Sequence, residues 1–315
     1  MRGSWHLCPQ VTAPLENRDR QHVEPADAAA VLSPALACFL APPLALLPGG
    51  GNVRMISPAK ALRKYRIYRA KQFLRKTPDL WNELHLYLQR TESTGCSYVD
   101  YAELYRLIRK NKPTEILECG TGVSTLVIAR ALMENEEKTG VRGRVTSMEE
   151  HSRWLQMSRD LLPIRYAPYV EFVLSDTMED RYSLFRGMRY ASLPERGYDF
   201  VFVDGPSYVS PSDGGATFDF DFLHVLRGSK SLVSALVDKR VSTVFVLQQL
   251  LGTRKVYYSS INGLGYVAPS SMEDLGNIAT SISSENFSGS FSWLGNSRLH
   301  ITANTNQRPQ VLTGR

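Results

Sequence analysis

The chain has 315 residues, 43% of them hydrophobic and 22% charged, the balance of a soluble globular protein with enough apolar side chains for a sizeable core. Its formal charge of +6 is concentrated in residues 54–76, with nine basic and no acidic side chains, whereas residues 77–315 carry 25 basic and 27 acidic ones; a general polyanion-binding surface is not supported and nucleic acid is not an expected partner. Cys8, Cys38, Cys96 and Cys119 lie far apart with no Cys-x-x-Cys pair, which fits neither a zinc module nor a disulfide framework and makes a reducing, cytoplasmic setting the expectation.

Residues 1–54 read as a disordered Ala/Pro-rich leader. The uncharged run 28–47 is long enough to raise the question of a membrane span, but Pro34, Pro42 and Pro43 interrupt it, and no basic start lies next to it. Globular patterning begins soon after Met55, which makes Met55 a candidate start of the natural protein; N-terminal sequencing that finds residues before it would refute this. Residues 55–95 form a basic helical extension, helical from Ser57 to Arg90. Basic residues of 60–76 spread all round that helix, so a solvated helix packed on the main domain is favoured over a membrane-lying one, and contact with a membrane surface through 54–76 is the weaker alternative.

From 96 to 305 the pattern is α/β, and 306–315 are a tail. A helix over 98–112 leads into strands at Thr114–Glu118, Arg144–Met148, Val170–Leu174, Tyr198–Val203, Ser231–Val237 and Lys255–Ser259, with a last one near Arg298–Thr302. Helices are expected over Ser124–Glu134, Ser152–Asp160, Met178–Met188, near Phe220–Leu226 and over Ser242–Leu251. Apolar strands alternating with helices imply a Rossmann-like, doubly wound, seven-stranded and mostly parallel sheet with helices on both faces. In such sheets ligands bind beyond the carboxyl ends of the strands, so the residues after each strand carry the functional reading.

After the first strand stands "ECGTGVST". Gly120 and Gly122 allow a tight turn with close backbone approach, and the amides opening the next helix attract negative charge. A dinucleotide fingerprint would place a third glycine at Thr125, and a P-loop would need a lysine that is absent between Glu118 and Lys138. Glu149, closing the second strand, is placed to accept both hydroxyls of a ribose, or to act as an acid at a helix N-terminus; Glu150 beside it is expected to face solvent. Asp176, with Thr177, follows the third strand, where it would accept from a purine amine or cap a helix starting at Met178. Asp204 follows the fourth strand and leads into a Gly/Ser/Asp-rich loop, 205–219, long enough for a substrate lid. A carboxylate there can orient an acceptor hydroxyl, take its proton or hold a divalent metal.

Four such signals after four successive strands resemble the class I S-adenosylmethionine-dependent methyltransferases, over about Tyr98 to Thr302. The resemblance implies that Glu118, Gly120, Thr121, Gly122 and Ser124 wrap the methionine end of S-adenosylmethionine. It likewise implies that Glu149 holds the ribose and that Asp176 and Thr177 meet the adenine edge. The stretches "VTSMEE" and "FVFVDG" look most like the small-molecule O-methyltransferases of the catechol and bacterial sugar types, implying a small-molecule or sugar acceptor. In the catechol type, magnesium is held by an acid after the fourth strand and an Asp-Asn pair after the fifth. Asp204 and Asp238 match the acids, but Lys239 stands where Asn is expected, and a cation there would repel a metal unless it points away.

Asp204 is accordingly the expected catalytic residue, with Asp238 assisting directly or through a metal, and His224 as a reserve base or a structural histidine. Tyr208, Phe218, Phe220 and Phe222 are either an aromatic wall for the acceptor or core. Cys119 is expected to point into the core. The competing readings are a catalytically silent cofactor-binding scaffold of the same fold, and a nicotinamide-dependent oxidoreductase, against which Thr125 speaks.

Overall fold

A computed structural model describes residues 58–92, 95–183 and 185–275 of the chain, all within Met55–Arg315. The expected leader, the strand near Arg298–Thr302 and the tail lie outside the described residues. No described helix is long and apolar enough to cross a membrane.

The helical extension is two helices, α1 (Pro58–Leu74) and α2 (Pro78–Arg90), where one was expected. Pro78 lacks the amide that would continue α1, and its fixed φ instead starts α2 at the first helical position. The C-terminal half of α1 buries Ala70 and Leu74, and Lys71 and Arg75 lie over the rings of Tyr98 and Trp81. α2 buries Leu80, Leu84 and Tyr87, one helical face. α3 (Tyr98–Asn111) is capped where Asp100 accepts from the Ser97 amide.

The main sheet holds β1 (Glu115–Cys119), β2 (Arg144–Glu149), β3 (Val170–Leu174), β6 (Phe200–Val203), β8 (Val233–Asp238), β9 (Val256–Ser259) and β10 (Leu264–Ser270). Their order is β3-β2-β1-β6-β8-β10-β9, with β10 alone antiparallel to its neighbours. α4 (Val123–Thr139) and α5 (Ser152–Leu161) connect β1 to β2 and β2 to β3; α6 (Asp221–Gly228) and α7 (Val241–Leu251) follow β6 and β8 in the chain. The period of two sorts each strand's side chains onto opposite faces. Ile116, Val145, Phe200, Phe202 and Leu236 join the core under α1–α4. Leu117, Cys119, Met148, Val201, Val203 and Val237 join the one under α6 and α7, so Cys119 is core, as expected. The expected doubly wound α/β architecture is therefore the one observed.

Two elements differ from expectation. Residues 177–190 form no helix: β4 (Thr177–Tyr182) and β5 (Phe185–Tyr190) pair antiparallel, and β7 (Phe218–Asp219) joins β5 in a second, three-stranded sheet. Gly187 explains the choice. A Cβ there would lie 2.8 Å from the Phe218 carbonyl oxygen and 3.0 Å from the Phe220 Cβ, so the strand packs flush on residues a helix would hold away. The pair is further locked by Arg189 donating to Asp180 at 2.8 Å. Asp176 consequently caps no helix. The seventh strand is β10, reached from β9 through a turn in which Gly263 has φ +69°, a conformation glycine adopts without penalty.

Candidate functional site

The chain runs β1-β2-β3 to one side of the sheet and then crosses to β6 on the other flank of β1, so the switch point lies between β1 and β6. Cys119 pairs with Val203, which places Gly120 and Asp204 side by side just past the two strand ends. Gly120 has φ +97°, and a Cβ on it would lie 3.3 Å from the Asp204 backbone; one on Gly205 would lie 3.0 Å from Gly120. The two turns touch through glycine, and any side chain there would force them apart.

Around this contact a cavity of about 400 Å³ is lined by Gly120, Thr121, Gly122, Glu149, Trp154 and Asp204, among others, a size within the range of small-molecule sites. Thr125, at the position a dinucleotide fingerprint gives to glycine, uses its hydroxyl to close the turn. Its Oγ1 accepts from the Gly122 amide at 3.2 Å and donates to Glu118 Oε2 at 2.7 Å. Ser147 also donates to Glu118 Oε2, at 2.6 Å. Glu118 is fully buried, and burial pushes its pKa up to about 7 against the opposing hydrogen bonds of Ser124, Ser147 and Thr125. A carboxyl raised above its unfolded value adds stability below the unfolded pKa of 4.5 that is lost as pH climbs through about 7. Stability of the ligand-free protein is thus expected to fall by up to about 3 kcal/mol over that window. Glu118→Gln should flatten the decline in urea melts recorded at several pH values; an unchanged slope contradicts this.

Glu149 sits at the cavity wall, nearly buried. Its Oε2 accepts from the Thr121 amide and hydroxyl at 3.3 and 3.0 Å, and its Oε1 from the amides of Glu150 and His151, both at 3.0 Å. Glu150 also lines the cavity, where its Oε1 accepts from the Ser207 amide at 2.9 Å. Ser124 is buried under the turn. Asp176 is exposed at the end of β3 and Thr177 opens β4; neither is among the cavity-lining residues.

Asp204 stands over the mouth of β6. Cys96 donates its thiol to Asp204 Oδ2 at 3.1 Å, and Asp238, at the end of the neighbouring β8, completes a buried acidic cluster with Asp100. Burial first of all pushes both Asp204 and Asp238 above the usual carboxylate range. Asp100 and Asp204 press on Asp238 from nearby, adding to the burial that raises it, while the Cys96 hydrogen bond and Arg240 pull Asp204 the other way. Burial likewise raises the Cys96 thiol, keeping it a neutral donor.

Arg240 closes the site from below. It donates to the carbonyls of Asp204 and Pro206 and to the carboxylate of fully buried Asp219. The loop after Asp204 is further tied down by Arg186 on Asp213 at 2.7 Å and by Thr217 on the Tyr208 carbonyl at 2.7 Å. Phe218, Phe220 and Phe222 are buried core, whereas Tyr208 is exposed with the Arg240 guanidinium over its ring. His224 is half-buried on α6 and is not among the cavity-lining residues. Asp100 and Trp154 were not singled out from the sequence, and Arg240, a candidate partner for Asp238, pairs with Asp219 instead; Asp100 and Cys96 come from the α3 region, far along the chain from the acids they meet.

The acids do not suit magnesium. Magnesium wants near-octahedral oxygen ligation, yet among the described residues the side chains able to share an ion are Cys96, Asp100 and Asp238, one of them a thiol. The Lys239 ammonium already lies 3.5 Å from Asp100 and 3.6 Å from Asp238. The cavity, by contrast, suits S-adenosylmethionine in its size, its glycine-built floor and its wall carboxylate.

Residues 117–229 match the family model of a methyltransferase domain, the stretch from Leu117 in β1 through α6. No curated protein sequence matches the chain. Among solved structures, a methyltransferase-like protein from Silicibacter pomeroyi is similar at 17% identity over 64% of this chain and 96% of its own, with a TM-score of 0.38. A SAM-dependent methyltransferase from Aquifex aeolicus is similar at 13% identity over 49% of this chain and 80% of its own, with a TM-score of 0.29.

Proposed function

We propose that this S-adenosylmethionine-dependent methyltransferase, its domain matched over 117–229, methylates a hydroxyl oxygen of a small molecule or sugar, with Asp204 as the base. The observation that carries the reading is the juxtaposition of the Gly120 turn and Asp204 across the switch point, with Glu149 on the wall of the same cavity.

When bound, S-adenosylmethionine supplies an electrophilic sulfonium methyl group and leaves as S-adenosylhomocysteine. The chain's part is positioning and proton removal. Gly120 and Gly122 let the backbone approach the methionine end, and Glu149 accepts from the ribose hydroxyls. Asp176 and Thr177 retain the adenine edge as their proposed role. The Cys96 thiol fixes Asp204 through Oδ2, and the Asp204 carboxylate takes the acceptor's proton as that oxygen acquires the methyl. A raised pKa suits Asp204 to this task, because an ordinary aspartate is a weak base toward an alcohol.

Glu149→Ala is expected to weaken S-adenosylhomocysteine binding roughly 10- to 100-fold, the worth of lost hydrogen bonds to a charged group. Calorimetry checks it, and an unchanged dissociation constant removes the ribose role. The oxidoreductase reading is tested in the same instrument: NAD should give no heat where S-adenosylhomocysteine does. A silent scaffold would bind S-adenosylhomocysteine yet release none from S-adenosylmethionine with any hydroxyl acceptor.

A further inference from the structure

We infer that Lys239 is a built-in cation, a positioning residue whose ammonium stands where a divalent ion would have to bind between Asp100 and Asp238, so that the site works without a metal. The inference rests on the functional reading above but has its own observations.

The side chain is directed by constraints at both ends. Its backbone has φ +36°, rare for a residue with a Cβ, and this conformation costs energy unless the surroundings enforce it. Here the Lys239 amide donates to the Gly263 carbonyl at 2.9 Å, which anchors the residue to the β9–β10 turn. At the other end Nζ donates to the Gly95 carbonyl at 3.2 Å and faces Asp100 Oδ2 and Asp238 Oδ2. Asp100 and Asp238 are almost fully buried, and the Oδ1 atom of each has no hydrogen-bond partner among the described residues. Such carboxyls would attract any cation small enough to enter. The lysine meets that demand permanently, and a metal arriving at Cys96, Asp100 and Asp238 would have to displace an ammonium held at three points.

Lys239 also links Gly95, which precedes α3 and sits against Asp204, to the β8 end that carries Asp238. A Cβ on Gly95 would lie 3.0 Å from Asp204 Oδ2, so the segment that the lysine grips is the one that bears on the base. Charge compensation and placement of Asp204 are thereby one device.

The test titrates manganese(II) into the full-length protein and reads the electron paramagnetic resonance signal of the free ion. Wild type is expected to bind no stoichiometric manganese. Lys239→Asn should gain one bound equivalent, lost again when Asp238→Asn is added. Should Lys239→Asn fail to fold, Lys239→Met removes the same charge at similar size and is read identically. Stoichiometric binding by wild type that Asp238→Asn abolishes overturns the inference, as does a folded Lys239 variant that binds none. S-adenosylhomocysteine calorimetry on the same samples separates the two readings: absence of cofactor binding sinks the proposed function, while the manganese titration alone decides the lysine.

Discussion

Asp204→Asn is expected to lower methyl transfer by roughly 10²- to 10⁴-fold, the usual contribution of a positioned proton acceptor, while the affinity for S-adenosylhomocysteine stays nearly unchanged. The amide has the carboxylate's size and can still accept from Cys96, but it cannot take a proton. Affinity should hold because the contacts proposed for the cofactor come from the Gly120 turn and Glu149, not from this side chain. A matched fall in affinity would mean that Asp204 holds the cofactor. Full activity would remove it from the reaction.

Arg240→Met is expected to cost about 3–5 kcal/mol of stability, the cost of leaving a buried charge without its partner. Asp219 is fully buried, and burial pushes its carboxyl up to about 6 even with Arg240 beside it. Without the guanidinium its carboxylate would keep the Thr243 hydroxyl, which donates to Oδ2 at 2.5 Å. Combining Arg240→Met with Asp219→Asn should recover most of the loss, since both charges are then gone. Activity should not return, because the carbonyls of Asp204 and Pro206 have still lost the donor that pins the loop. Urea denaturation and initial rates on the three proteins check both statements. A single variant as stable as wild type contradicts the ion-pair account, and a double variant with full activity contradicts the clamp.

What could be read from the chain alone follows from the physics of each element. β1, β2, β3 and β6 are short segments rich in apolar and β-branched residues with a glycine or an acid at or within two residues of their ends, and their positions came through to within two residues. Residues 177–190 did not, because Met178, Tyr182 and Phe185 recur at the helical spacing i, i+4, i+7. The deciding contact, Gly187 on Phe218, spans 31 residues of the chain and is invisible to a local pattern. The seventh strand was legible in principle: Asn262-Gly263 is a strong short-range hairpin signal, three residues past the end of β9 and directly before β10. In the site, Gly120, Glu149 and Asp204 were legible because each follows a strand. Asp100 and Cys96 were not, since only packing of α3 against the strand ends brings them to Asp204 and Asp238. Lys239 was noticed as a departure from the metal-binding pattern, but its meaning depended on where its side chain points.

The most direct test incubates the purified chain with methyl-labelled S-adenosylmethionine and a panel of phenols, catechols and sugars, chelator present, and looks for labelled product by mass spectrometry. The account requires label on a hydroxyl oxygen of at least one acceptor, absent with Asp204→Asn. Label found solely on nitrogen acceptors, or hydroxyl methylation that proceeds unchanged in Asp204→Asn, would contradict it.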